Sequence, residues 1–319
     1  MTPSEAFDAS AYLAPYPERR VRRPVLLRQT EDTYGLEPTP AEAWLPIAFR
    51  AFARLAERQP VRDMLIVGTG NGLDALGAAE IFPLRSLTVT DLFAASLAVS
   101  RQNVLAHLVT DRTFDLAFHA SDLLAGVPPD TRFDLVYENL PNLPAPTGIE
   151  LERGINTGRF FDAAAGVGPE PYGRYLLALH HRCLLEARSH VRTGGGVLTA
   201  IGGRMPHEVA FDLHRACGYE PELLAFDVKR QVEPAIVIPP YARVEESGDA
   251  AFTFYAAEAI DLVGAVRARG LDGQELADAV APDLARLALT AREAEDRTAG
   301  GEPVAHAVLM IFGRQATRR

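Results

Sequence analysis

The most constraining feature of this chain is Gly68-Thr69-Gly70-Asn71-Gly72, held between a five-residue apolar run and an apolar helix-patterned segment. The run Asp63-Met64-Leu65-Ile66-Val67 does not alternate, which is how a strand covered on both faces reads. Glycines after such a strand let the backbone turn sharply and let another group approach without a Cβ in the way. Leu73 to Phe82 then carries the pattern of a helix. Strand, glycine turn and helix in this order are the first half of a βαβ unit, and the pattern repeats downstream.

Ser86 to Thr90, Phe114 to His119 and Phe133 to Tyr137 read as further strands, with Ala94 to Leu108 as the helix after the second. Arg174 to Val191 is predicted helical and is ended by Gly194-Gly195-Gly196, after which Val197 to Ile201 and Leu223 to Val228 read as strands. Ala41 to Arg58 is an amphipathic helix ahead of the first strand. Towards the C-terminus, Phe252 to Tyr255 and Ala305 to Phe312 read as strands, and Ala257 to Ala268 and Gln274 to Asp296 as helices. Ala163 to Pro171, rich in Ala, Gly and Pro, reads as a loop. Alternating strands and helices imply parallel strands joined by right-handed crossovers, hence an α/β, doubly wound, mostly parallel sheet.

Charge narrows the partners. The 319 residues carry a formal net charge of -10, and a protein that grips duplex phosphates needs clustered Lys and Arg instead. The basic cluster Glu18-Arg19-Arg20-Val21-Arg22-Arg23 is compatible with anion binding or with a solvated surface segment. Cys183 and Cys217 stand apart, with no C-x-x-C, so neither a disulfide framework nor a cysteine metal site is expected, and a reducing cytoplasm is the natural compartment. No segment has the apolar length of a membrane span or of a secretory h-region. Histidines show no H-E-x-x-H spacing, so no metal is expected. Neither G-x-S-x-G nor a P-loop is present.

Ligands of open α/β sheets lie beyond the carboxyl ends of the strands. Asp91 ends the second strand and can accept hydrogen bonds from ribose hydroxyls, or cap the next helix. Asp122 follows the third strand and can accept from an adenine amino group, or again act as a cap. Gly68, Gly70 and Gly72 form the turn against which such a ligand would rest. A dinucleotide fingerprint needs glycine three positions after Gly70, where this chain has Leu73. That departure disfavours a nicotinamide-dependent oxidoreductase. At the end of the fourth strand, Asn139 precedes Leu140-Pro141 and is either a turn residue or a group that orients a nitrogen.

The run Asp91-Leu92-Phe93-Ala94-Ala95-Ser96-Leu97-Ala98-Val99-Ser100-Arg101-Gln102-Asn103 resembles the second-strand acid and following helix of the release-factor glutamine N5-methyltransferases, within the class I S-adenosylmethionine-dependent superfamily. Ser121-Asp122-Leu123-Leu124 and Phe133-Asp134-Leu135-Val136-Tyr137-Glu138-Asn139-Leu140-Pro141-Asn142 continue the resemblance in order, and Glu31-Asp32-Thr33-Tyr34 is similar to a segment ahead of that family's core. It covers roughly residues 28–144, with a weaker echo over 194–219. It implies a Rossmann-like, seven-stranded sheet and S-adenosyl-L-methionine as cofactor, held by Gly68, Gly70, Gly72, Asp91, Asp122 and Asn139. On this reading residues 1–60 are an N-terminal helical cover, 61–229 the cofactor-binding core, and 230–319 a C-terminal helical extension with a final strand.

The family ends its fourth strand with N-P-P-Y, where this chain has Asn139-Leu140-Pro141-Asn142. An asparagine there can accept from an amine or amide and turn its lone pair towards a sulfonium methyl. The missing tyrosine would have packed on a planar target amide. The expectation is therefore N-methylation of a small, amino-acid-like substrate, with neither nucleic acid nor membrane as partner and a homodimer as the oligomer to test. A more distant similarity, to azetidine-2-carboxylate synthases, implies the alternative of cyclising S-adenosylmethionine itself with release of methylthioadenosine. A degenerate, non-catalytic binding protein is the remaining alternative, against which Asp91, Asp122 and Asn139 stand together. Aromatic faces suit a sulfonium. Tyr137, Phe160, Phe161, Tyr172 and Tyr175 are the candidates, with Tyr175 the residue singled out as catalytic alongside Asn139, and His180 and His181 as bases or packed side chains.

Overall fold

A computed structural model describes residues 6–30, 33, 35–109, 114–142, 168–248 and 250–316. The chain forms two compact units, one of Met1–Asn139, Cys183–Thr199 and Gly313–Arg319, the other of Leu140–Arg182 and Ala200–Phe312.

The first unit opens with an antiparallel ribbon, β1 (Ala6–Asp8) and β2 (Leu26–Arg28), around the short α1 (Ser10–Leu13). Helix α2 (Leu45–Arg58) follows a single 3-10 turn at Pro40–Glu42, so the predicted helix starts four residues late. The prolines explain this: Pro40 opens the 3-10 turn, and Pro46 is placed in the first turn of α2, where its missing N–H costs nothing. The inward stripe of α2 is Ile47, Ala48, Phe49, Ala51, Phe52 and Leu55. Strand β3 (Asp63–Val67) is buried throughout, as its unalternating sequence requires. Helix α3 (Leu73–Ile81) is buried from Leu73 to Glu80, which is why its sequence shows no polar face. Next come β4 (Ser86–Asp91), α4 (Ala94–His107), β5 (Asp115–Ala120) and β6 (Phe133–Glu138). Strand β3 pairs in parallel with β4 and β6, and β4 with β5. Phe52 meets Tyr137 edge-on at 4.9 Å and Phe82 at 5.3 Å, fastening α2 and the end of α3 to the sheet.

Helix α5 (Ala178–Ala187) is shorter at both ends than predicted, and Leu176 before it has a φ of 63°. Strand β7 (Val191–Gly202) absorbs the three glycines that read as a break. Its pairing with β6 shifts register between Phe133 and Leu135, and Gly194 has a φ of 84°. The glycines make a bulge within the strand.

The second unit continues with α6 (His207–Ala216), β8 (Tyr219–Arg230), α7 (Pro234–Glu246), β9 (Phe254–Ala256), α8 (Glu258–Arg267), α9 (Gly273–Leu287), β10 (Ala288–Leu289), α10 (Ala291–Ala299) and β11 (Val304–Gln315). Strand β9 pairs antiparallel with β10 and β11, and β8 lies beside β11. The segment predicted as one helix over Gln274 to Asp296 is interrupted at Thr290. That hydroxyl accepts from the Glu293 amide while Glu293 reaches back to the Thr290 amide, a reciprocal cap that starts a new helix. Around it packs a core of Val237, Ile238, Tyr241, Phe252, Phe254 and Leu289. The α/β, doubly wound architecture stands as predicted, with nine sheet strands among the described residues rather than the seven that the resemblance implies; β9 falls where Phe252 to Tyr255 reads as a strand, and the short β10 has no counterpart in the sequence reading.

Candidate functional site

The candidate site lies in the first unit, at the carboxyl ends of parallel strands. The registers Val67 with Thr90, Val67 with Glu138 and Asp91 with Ala120 bring the ends of β3, β4, β5 and β6 side by side. Gly68, Gly70, Gly72, Asp91, Asp122 and Asn139 all follow or end these strands. The three glycines have φ of 75°, 58° and 89°. At Gly72 a Cβ would also come within 2.8 Å of the Ser100 hydroxyl on α4.

The Asp91 side chain holds the turn in place. Its Oδ2 accepts from the Gly70 amide at 3.0 Å and its Oδ1 from the Phe93 amide at 3.0 Å. The Ser96 hydroxyl lies 3.1 Å from the Gly70 carbonyl and 3.3 Å from Asp91 Oδ2. Burial pushes the Asp91 carboxyl upwards, against the lowering effect of these donors. A carboxylate offers about four acceptor positions, so Asp91 keeps acceptor capacity for a hydroxyl-bearing ligand.

The amides of Gly68, Thr69, Gly70, Gly72 and Leu73 are already committed. Gly68 and Thr69 donate to the Thr90 carbonyl, Gly70 to Asp91, Gly72 to the Thr69 carbonyl and Leu73 to Asn71 Oδ1. A pyrophosphate needs such donors turned towards it. A ligand presenting hydroxyls and positive charge needs acceptors, and beside this loop stands the carboxylate of Asp91. The residues thus fit S-adenosylmethionine, which has no phosphate, better than a dinucleotide.

Sequence reasoning passed over Asp74. It is fully buried in the first turn of α3, and its Oδ1 accepts from the Thr69 hydroxyl and from the Ala75 amide, each at 2.7 Å. Burial lifts its carboxyl to about 7, opposed by those donors and reinforced by the neighbouring charge of Asp91. The available signal was one acid in an otherwise apolar helical start, Leu73-Asp74-Ala75-Leu76. Tyr137, on β6, is buried with no hydrogen-bond partner for its hydroxyl, which burial and the charges of Asp74 and Glu138 hold far from ionisation.

Asp122 is exposed and begins turns, with no helix following, so the helix-cap reading does not hold for it. Asn139 is half-buried, and among the described residues its side chain makes no hydrogen bond. In the second unit Asn142 is built in. Its Nδ2 donates to the Gly202 carbonyl at 3.0 Å, and its own carbonyl accepts from the Tyr241 hydroxyl at 2.7 Å. Tyr175, also in the second unit, packs edge-on against Phe252 at 6.0 Å. His180 is buried, and His181 stacks on Tyr172 at 5.4 Å, its pKa lowered by burial. Phe160 and Phe161 lie outside the described residues. The basic cluster is largely structural. Amides of Arg19, Arg20 and Val21 donate to the buried Glu80 carboxylate, and Arg20 donates to the Leu84 carbonyl while lying over the Phe114 ring.

Among the described residues no helix is long and apolar enough to cross a membrane, and no three His, Cys, Asp or Glu side chains group as metal ligands. The chain is similar in sequence to known methyltransferases. Those relatives include the release factor glutamine methyltransferase of Deinococcus radiodurans, 30% identical over 184 residues, or 53% of this chain and 63% of that protein. Its counterpart in Cereibacter sphaeroides is 32% identical over 183 residues, covering 57% and 59%. The chain thus spans less than two thirds of the length of either. Among solved structures, the YcgJ protein of Bacillus subtilis aligns with a TM-score of 0.44 at 10% identity, over 84% of this chain and 99% of that one. No family model matches the chain.

Proposed function

We propose that this chain is an N-methyltransferase that directs an amine nitrogen of a small, amino-acid-like molecule at the methyl group of S-adenosylmethionine. The observation that carries this reading is Asn139. It follows β6, whose last residue Glu138 is paired with Val67 just before the glycine turn, and among the described residues its carboxamide is not engaged. The cofactor supplies a methyl group made electrophilic by the attached sulfonium. Gly68, Gly70, Gly72, Asp91 and Asp122 hold it, Asp91 and Asp122 accepting from its ribose and adenine. The Asn139 side-chain oxygen accepts from the substrate N–H and aims the nitrogen lone pair, so that binding energy is used to align the reactants. The N–C bond forms as the S–C bond breaks, its electron pair stays on sulfur, and the amine proton passes to water.

Asn142 supports a small substrate over a protein glutamine. At the position where the resembling family has an aromatic, its side chain is tied to Gly202 and its backbone to Tyr241, leaving no ring for a planar amide. The same observation favours a second reading, in which the α-amine of S-adenosylmethionine displaces its own Cγ–S bond and methylthioadenosine leaves.

Incubation with S-adenosylmethionine alone, with a panel of amino acids and with a release factor, followed by mass spectrometry of the nucleoside product, separates these readings. S-adenosylhomocysteine formed with an amino acid supports methyl transfer to a small amine. Methylthioadenosine formed without acceptor establishes the cyclase, and turnover only with the release factor overturns both.

A further inference from the structure

Behind the glycine turn, the first unit holds a buried acidic group with which the transfer chemistry has no need. Asp74 and Asp91 both hold the same five-residue turn. Asp74 accepts from the hydroxyl of Thr69, Asp91 from the amide of Gly70, and Thr69 and Gly70 are consecutive. Both carboxyls are buried, which holds each above its ordinary range, and the charge of Asp91 adds to the resistance of Asp74 to ionisation. From β6 the Tyr137 phenol lies in the field of Asp74 and Glu138, fully buried and with no acceptor for its O–H. Of the helices packed on α3, α2 sets Phe49 against Gly77 and α4 sets Ser100 and Val104 against Gly72, and the charge that acts on Asp74 is that of Asp91. Like charges and an orphaned donor in one buried place are what a cationic ligand would resolve. Positive charge at the turn lets both carboxyls ionise.

We infer that Asp74 is a specificity-determining residue which releases its proton when a cationic ligand occupies the glycine turn, so that the site favours a sulfonium over the neutral thioether left after transfer. The inference rests on the proposed S-adenosylmethionine site. S-adenosylmethionine carries one more positive charge than S-adenosylhomocysteine, so its binding is coupled more strongly to the loss of this proton. Product release is correspondingly helped, because the thioether cannot hold Asp74 ionised.

Titration calorimetry of the intact chain, in two buffers of different ionisation enthalpy at pH 7, counts the protons released by each ligand. The expected result is release of roughly half a proton per S-adenosylmethionine and distinctly less per S-adenosylhomocysteine. Affinity for S-adenosylmethionine should rise about three- to ten-fold from pH 6 to pH 8, since one linked proton permits at most tenfold per pH unit. In Asp74→Asn the proton release should vanish, the pH dependence flatten and the preference for the sulfonium over the thioether fall about three-fold or more. Wild-type protein that binds S-adenosylmethionine without releasing protons overturns the inference and leaves the cofactor site standing. Proton release that persists in Asp74→Asn overturns the assignment to Asp74. No binding at any pH overturns both inference and site. The wild-type measurement decides even where the variant does not fold.

Discussion

Thr69, in the glycine turn, donates its hydroxyl to the carboxyl of Asp74, in the first turn of the helix that follows, at 2.7 Å. The bond ties the conformation of the turn to the protonation of a buried acid. The Asp74 pKa is raised from 3.8 to about 7, so in that window the folded protein keeps a proton that the unfolded chain has released. Stability from this group is therefore present at the acid end and is lost as pH rises towards 7. Asp74→Asn retains an acceptor for Thr69 and has nothing to ionise. Its stability relative to wild type should improve by about 2–3 kcal/mol between pH 5 and pH 8. Denaturant curves at both pH values test this, and parallel behaviour of the two proteins would refute it.

Asp91→Ala should weaken S-adenosylmethionine binding by about 1.5–3 kcal/mol, the range for lost hydrogen bonds to a charged group. The Gly70 and Phe93 amides lose their acceptor as well, so a smaller loss of thermal stability should accompany it. Unchanged affinity in a folded variant would remove Asp91 from the ribose site.

Asn139→Ala should lower kcat far more than cofactor affinity, because aiming a nitrogen counts mainly in the transition state. Single-turnover kinetics beside equilibrium binding separate the two quantities. Equal losses in both would make Asn139 a binding or structural residue.

Glu80→Gln should destabilise the fold by about 2–4 kcal/mol without altering cofactor affinity. The buried carboxylate takes three backbone donors, from Arg19, Arg20 and Val21, and an amide oxygen cannot replace both of its oxygens. Thermal unfolding with a cofactor titration checks both halves of the statement.

What could be read from residues alone was the parallel half of the fold. Short unbroken apolar strands such as Asp63–Val67, and the glycine turn after it, are local signals whose meaning tertiary packing does not alter. The elements that escaped have mixed local signals. Helix α7 carries Pro239 and Pro240 in its interior, and interior prolines ordinarily end helices. Gly194-Gly195-Gly196 reads as a terminator, and only the partner strand β6 makes it a bulge. At the site, Asp91 and Asn139 were legible because each ends or follows a strand. Asp74 was not, because its weight comes from complete burial and from Asp91, seventeen positions further on.

The three amide bonds to Glu80 join positions separated by about sixty residues of chain. Helix α3, which carries Glu80, must be formed before the segment around Arg19 has anything to dock upon. During synthesis from the N-terminus, that segment therefore emerges early and settles late. Its amides stay in water until the first βα unit is made, so its docking reports that the strand and helix flanking the glycine turn are already in place.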